Sequence, residues 1–158
     1  MKREKELTAL VVDDHKESRD VLVTILSLHP KLNSNIKVVE AENGQEAYDQ
    51  IRNEKPDILY TGVMMPKISG SELLEKLVDD KIKIPTFIVS ASVMIATAES
   101  KKVITLASQM YTDAQRAYME EKSKRHLSSF ILVEKPYPPQ TIVDRTQLVQ
   151  EMLYKGIR

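Results

Sequence analysis

Three short stretches carry side chains able to hold a metal ion or an anion. "VVDDH" sets Asp13 beside Asp14, "FIVSAS" offers the Ser90 hydroxyl, and "VEKPY" offers the Lys135 ammonium just ahead of a proline. Adjacent carboxylates are hard oxygen donors suited to Mg²⁺, although Asp14 alone would also serve as a helix N-cap. With a hydroxyl and an ammonium beside them, the parts needed to hold a phosphoryl group are present. A fourth stretch, "KPDILYTGVMMPKISG", reads as a buried strand, a proline-containing loop and a capped helix, yet the strand closes on Gly62, which brings no reactive group. No base and nucleophile pair, G-x-G-x-x-G or P-loop occurs, so a catalytic enzyme is not expected.

These groups can meet only if their stretches end at one edge of a sheet. Leu7–Val12, Ile36–Ala41, Asp57–Gly62, Thr86–Ser90 and Ser129–Glu134 are too short for helices and mostly apolar on both parities. Such strands belong in a parallel sheet covered on both faces. Helix starts lie between them: Asn43 with Glu46 three residues on, Ser69 with Glu72 three on, and Pro138–Pro139 ahead of "QTIVDRTQLVQEML". Five βα units give an α/β, doubly wound five-stranded parallel sheet with helices on both faces. The carboxyl ends of its strands open on one crevice, where ligands of such sheets bind.

About forty residues separate the fourth and fifth strands, where a crossover needs about a dozen. The spacing predicts an inserted helical segment over about 95–127. Val103, Ala107, Met110, Ala114 and Ala117 recur at three- and four-residue steps, as in one amphipathic helix of about five turns. Its stripe either covers a neighbouring element or serves as a docking or dimerisation helix. The "KSKR" run at 122–125 is too short to argue for nucleic acid and suits a solvated helix end.

Length and charge bound the rest. A chain of 158 residues is one domain, here 1–158. Its 23 basic and 23 acidic residues balance, so neither nucleic acid nor an anionic membrane is the expected partner. There is no cysteine, and His15, His29 and His126 lack paired ligand spacing, which reads as surface or loop histidines. The apolar run "LTALVV" is too short for a secretory core or a span, so a cytoplasmic, stand-alone module is expected.

Taken in order, "VVDD", "PDILYTGVMMPKISG", "IVSAS" and "EKP" resemble the receiver domain of two-component response regulators, the CheY-like family. The likeness spans nearly the whole chain apart from the insertion. It implies the flavodoxin-like strand order 2-1-3-4-5 and a site in which Asp13, Asp14 and the Met64 backbone carbonyl bind Mg²⁺ while Ser90 and Lys135 contact the phosphoryl group. The phospho-accepting aspartate of the family falls on Gly62. The aromatic switch residue, three positions before the lysine, falls on Leu132, and Tyr137 lies beyond the strand.

Glycine can supply neither the attacking carboxylate nor a metal oxygen. Thr61 points to the opposite face of a regular pleat, and Asp57 lies roughly 16 Å away at about 3.3 Å per residue. Asp13, Asp14 and Lys135 sum to −1, where a third carboxylate would give −2, so Mg²⁺ binding is expected to be weak or absent. Lys135 is instead expected to pair with Asp13 or Asp14. The chain reads as a degenerate receiver: a phosphorylation-independent interaction module that meets a signalling protein or histidine kinase, or a second copy through the inserted helix. Two alternatives stand beside it. One is a ligand- or metal-responsive switch using the remaining pocket, and the other is a conventional phospho-accepting regulator altered at position 62.

Overall fold

The computed structural model describes residues 4–32, 35–91 and 97–158. Strands β1 (Leu7–Val12), β2 (Ile36–Ala41), β3 (Ile58–Thr61), β4 (Thr86–Ala91) and β5 (Leu132–Lys135) form one parallel sheet in the order β2-β1-β3-β4-β5. Around it, among the described residues, lie α1 (Lys16–Leu28), α2 (Gly44–Glu54), α3 (Gly70–Asp79), α4 (Ala98–Ser108), α5 (Asp113–Ser123), α6 (Leu127–Ile131) and α7 (Pro139–Tyr154). Helices α1 and α7 pack together, while α2, α3 and α4 pack in succession. Right-handed crossovers then put the two groups on opposite faces. The central strands are apolar on both parities because both of their faces are covered; Leu10, Val11, Leu59, Tyr60, Phe87 and Ile88 are all buried.

The expected helix starts are present. The Glu46 N–H donates to Asn43 Oδ1 at 2.9 Å, and the Glu72 N–H donates to Ser69 Oγ at 3.2 Å. Pro139 opens α7, where a missing N–H costs nothing. At the start of α3 the helix meets the strand end directly: a Cβ on Gly70 would stand 2.2 Å from the Gly62 carbonyl oxygen. Only glycine lets α3 come this close to the crevice loop.

Three expectations change. The third strand ends at Thr61, so Gly62 is the first residue past it. Ser129–Ile131 is not strand: Leu127, Phe130 and Ile131 are buried on one side of the short helix α6, and β5 begins at Leu132. The single five-turn helix is two. Helix α4 stops at Ser108, Met110 and Tyr111 turn into the core, and Thr112 restarts the chain as a capping box with Gln115. The second helix is also rotated from the expected stripe, with Gln115 and Met119 buried and Ala114 and Ala117 exposed. Alanine is apolar enough to suggest a face and too small to dictate one. Positions 95 and 96 of the expected insertion lie outside the described residues.

Gly70→Ala therefore forces backbone apart and is expected to destabilise by about 1–3 kcal/mol. Gly62→Ala adds a Cβ that meets Met65 at 3.8 Å, an ordinary contact, and is expected to change stability by about 1 kcal/mol or less. Urea denaturation of the two variants measures the contrast.

Candidate functional site

The carboxyl end of β1 delivers Asp13, whose side chain is only 12% exposed. Its Oδ1 accepts the His15 backbone N–H at 2.9 Å, and its Oδ2 accepts Lys135 Nζ at 2.8 Å. Burial pushes this carboxyl up, but hydrogen bonds from Lys135, the His15 N–H and Ser18, with the Lys135 charge, outweigh it and hold the carboxyl below its ordinary value. The N-cap position of α1 is His15 rather than Asp14, and the N–H at the helix entry is held by Asp13. Asp14 leans outward, with its Oδ1 3.2 Å from His15 Nδ1. His15 is an exposed histidine at the helix entry, as expected of a surface or loop position, and it stands beside the acid pair.

Arg19, one turn into α1, is buried and braces this corner. Its guanidinium donates to the Asp13 carbonyl at 2.7 Å and to Glu40 at 3.0 Å. The guanidinium neutralises the end of β2 and fixes the backbone from which Asp13 projects. Nothing in the sequence reading pointed to it; the signal was a cation on the core-facing side of α1.

Lys135 closes β5, level with Ala91 of β4, and the Lys135–Pro136 peptide is cis. In the order β1-β3-β4-β5, its bond to Asp13 crosses the ends of β4 and β3. Gly62 follows β3, one of the two strands that lie between these partners in the sheet. The Gly62 N–H donates to the Val12 carbonyl at 3.2 Å, and a Cβ built on it would lie 4.0 Å from the Val89 carbonyl oxygen. Gly62 thus sits between the Asp13 strand and the Ser90 strand, with room for a side chain. Ser90 is buried, and among the described residues its hydroxyl reaches the Ala91 carbonyl at a marginal 3.5 Å.

The neighbours that might replace an acceptor do not enter the crevice. Thr61 is fully buried and donates to the Gly62 carbonyl at 3.1 Å. Asp57 lies at the far end of β3, where it accepts the Thr8 N–H at 2.8 Å. Leu132 is half-buried at the start of β5, and Met64 lies two residues past Gly62 with its side chain exposed. Tyr137 is half-buried past the strand, its hydroxyl pushed up to about 12 by burial and by Asp13.

Asp13, Asp14 and His15 bring one ligand atom each within 4.8 Å of one another. They nonetheless fit Mg²⁺ poorly. Both Asp13 oxygens already accept hydrogen bonds, position 62 adds no side-chain oxygen, and the Lys135 ammonium bound to Asp13 adds positive charge beside the cluster.

A doubly wound parallel sheet with acid groups, a hydroxyl and a lysine at its switch-point edge defines the class. The profile described as "Response regulator receiver domain" matches residues 9–108, and the chain belongs to that family. It is 34% identical over 82 residues to the alkaline phosphatase synthesis transcriptional regulatory protein PhoP of Bacillus subtilis, covering 52% of this chain and 32% of that protein. It is 33% identical over 86 residues to a protein-glutamate methylesterase/protein-glutamine glutaminase of Nitrosospira multiformis, covering 54% of this chain and 23% of that protein. The chain spans about a third or less of the length of these curated relatives, and the shared part is the receiver. Among solved structures, the receiver domain of AraT from Geobacillus stearothermophilus superposes with a TM-score of 0.69 at 19% identity, covering 96% of this chain and 98% of that one. The profile match stops before β5, so the place of Lys135 rests on the pairing of β5 with β4 and on its bond to Asp13. No helix among the described residues is long and apolar enough to cross a membrane.

The pair makes a pH prediction. A carboxyl whose folded value is depressed contributes stability that is fully present above its unfolded value of about 3.9, and that is lost as pH falls through the lower folded value. Asp13→Asn should flatten the acid limb of the stability curve there. Lys135→Ala should cost about 1–3 kcal/mol, since it leaves Asp13 without its charged donor. Thermal melts between neutral pH and the acid limb check both.

Proposed function

We propose that this chain is a receiver that does not accept a phosphoryl group and acts as a phosphorylation-independent protein-interaction module. Receiver domains meet histidine kinases and other signalling proteins, and are in general not enzymes themselves. One observation carries the reading: glycine occupies the position that the family resemblance gives to the acceptor, while Lys135 binds Asp13 at 2.8 Å. Acyl phosphate formation needs a carboxylate nucleophile, and neither Thr61 nor Asp57 enters the crevice to supply one.

Leu132 supports the same reading. An aliphatic residue at the switch position has no aromatic ring to move between two states, so the two-state equilibrium of a conventional receiver has neither its ligand nor its reporter here. The partner surface we favour is the inserted region, where α5 turns Ala114, Ala117 and Glu121 to solvent. The room at Gly62 favours a second reading, a conventional regulator altered at that position.

Incubation with acetyl phosphate and Mg²⁺, followed by intact-mass spectrometry, should leave the chain unchanged. Gly62→Asp should gain the mass of one phosphoryl group, because its Cβ fits without displacement. Labelling of the unaltered chain on an aspartate of the crevice would overturn the proposal.

A further inference from the structure

The zero net charge of the chain does not hold at every surface. At the end of the sheet opposite the carboxylate crevice, where β1, β3 and β4 begin, three grooves meet around Lys83. One, of about 350 Å³, has a floor of Ile51, Pro56, Ile82 and Ile84 under the rim cations Arg52 and Lys55. A second, of about 640 Å³, runs past Lys5 to Tyr154, and a third, of about 360 Å³, runs past Lys81 to Met110 and Arg116.

Cations outnumber carboxylates along these grooves, although most other cations of the chain, Lys31, Lys37, Lys76 and Lys122 among them, are likewise without an ion pair among the described residues. Lys16, Arg19, Lys102 and Lys135 each pair with a carboxylate. Lys5, Arg52, Lys55, Lys81, Lys83 and Arg116 form no ion pair among the described residues. Lys83 and Arg116 reach only backbone carbonyls, of Gln109 and Ser108, and Arg52 lies over the Tyr48 ring. Three carboxylates line the grooves. Asp57 is taken by the Thr8 N–H at 2.8 Å, Glu4 lies 3.3 Å from the Asn35 amide, and Asp113 sits at the start of α5. Lys55 and Lys81 stand at the ends of α2 and α3, where carbonyl groups favour positive charge and do not discharge it.

We propose that this end of the sheet docks an acidic segment of a partner protein, with aliphatic side chains spaced between its carboxylates. The aliphatic groups enter the grooves over Ile82 and Ile84, and the carboxylates meet Arg52, Lys55 and Lys83. The apolar floors favour this occupant over a nucleic acid, whose phosphate backbone matches the rim but brings no aliphatic side chain to the grooves. The surface lies at the far end of the sheet from Gly62.

The test is a fluorescently labelled synthetic peptide of glutamate and leucine, titrated into the full chain by anisotropy and by amide NMR. Saturable binding is expected, with shifts confined to residues 51–56, 81–86 and 109–116, and with weakening as salt is raised. Arg52→Glu with Lys83→Glu should reduce affinity by about tenfold or more, while the exposed Lys101→Glu should not. Absence of shifts in the unaltered chain would overturn the proposal whatever the variants do. So would tighter binding of a single-stranded oligonucleotide or of phosphatidylglycerol vesicles than of the peptide, or self-association of the chain through these residues in sedimentation.

Discussion

A single ion pair spanning four of the five strands organises the crevice. Lys135 on the edge strand β5 reaches Asp13 at the end of β1, with β3 and β4 lying between the two strands in the sheet. The chain segments it joins are 122 residues apart, so the contact can form only once the whole sheet is assembled. Arg19 secures the other flank by holding the Asp13 carbonyl and Glu40 of β2. Taken together, the carboxylates of Asp13 and Glu40 match the Lys135 ammonium and the Arg19 guanidinium one for one. This is the condition under which groups of this kind can be buried at all.

The inserted helices are held to the same frame by buried polar contacts rather than by apolar packing alone. The Tyr111 hydroxyl donates to the Thr86 carbonyl at 3.0 Å, which pins the α4–α5 junction to the start of β4. Arg145 of α7 donates to the carbonyls of Phe130 and Leu132, satisfying the end of α6 and the open side of the edge strand β5 together. An edge strand with bare carbonyls would invite pairing with another chain. The hydroxyls of Tyr60 and Thr146 meet in the core, and the Tyr60 ring stacks on Phe87, which in turn leans on Phe130. The strand preceding Gly62 is thereby joined to α7 and α6 through one continuous aromatic cluster.

Much of this was legible from residue types. β1 and β2 fall where apolar runs on both parities placed them, and Asn43, Ser69 and Pro139 begin helices by the chemistry their side chains dictate. That Lys135 pairs with Asp13 or Asp14 followed from charge, since no third carboxylate competes for the ammonium; that the partner is Asp13 is seen only in the structure. The break at Gln109–Thr112 was written in "TDAQ", a threonine followed three residues later by glutamine, but a periodic stripe running through it masked the cap. The start of β5 was obscured because Leu127, Phe130 and Ile131 have both helical spacing and strand-like character. Arg19 and the grooves around Lys83 were beyond reach, because they depend on which faces of distant elements come together.

The central claim is that the ammonium of Lys135 serves Asp13 in a crevice lacking a carboxylate at position 62. Beryllofluoride with Mg²⁺ tests it most directly, because that anion caps a receptive aspartate as a phosphoryl group would. Amide NMR spectra recorded before and after its addition should coincide throughout β1, β3, β4 and β5. Saturable shifts at Asp13, Ser90 and Lys135 would contradict the account.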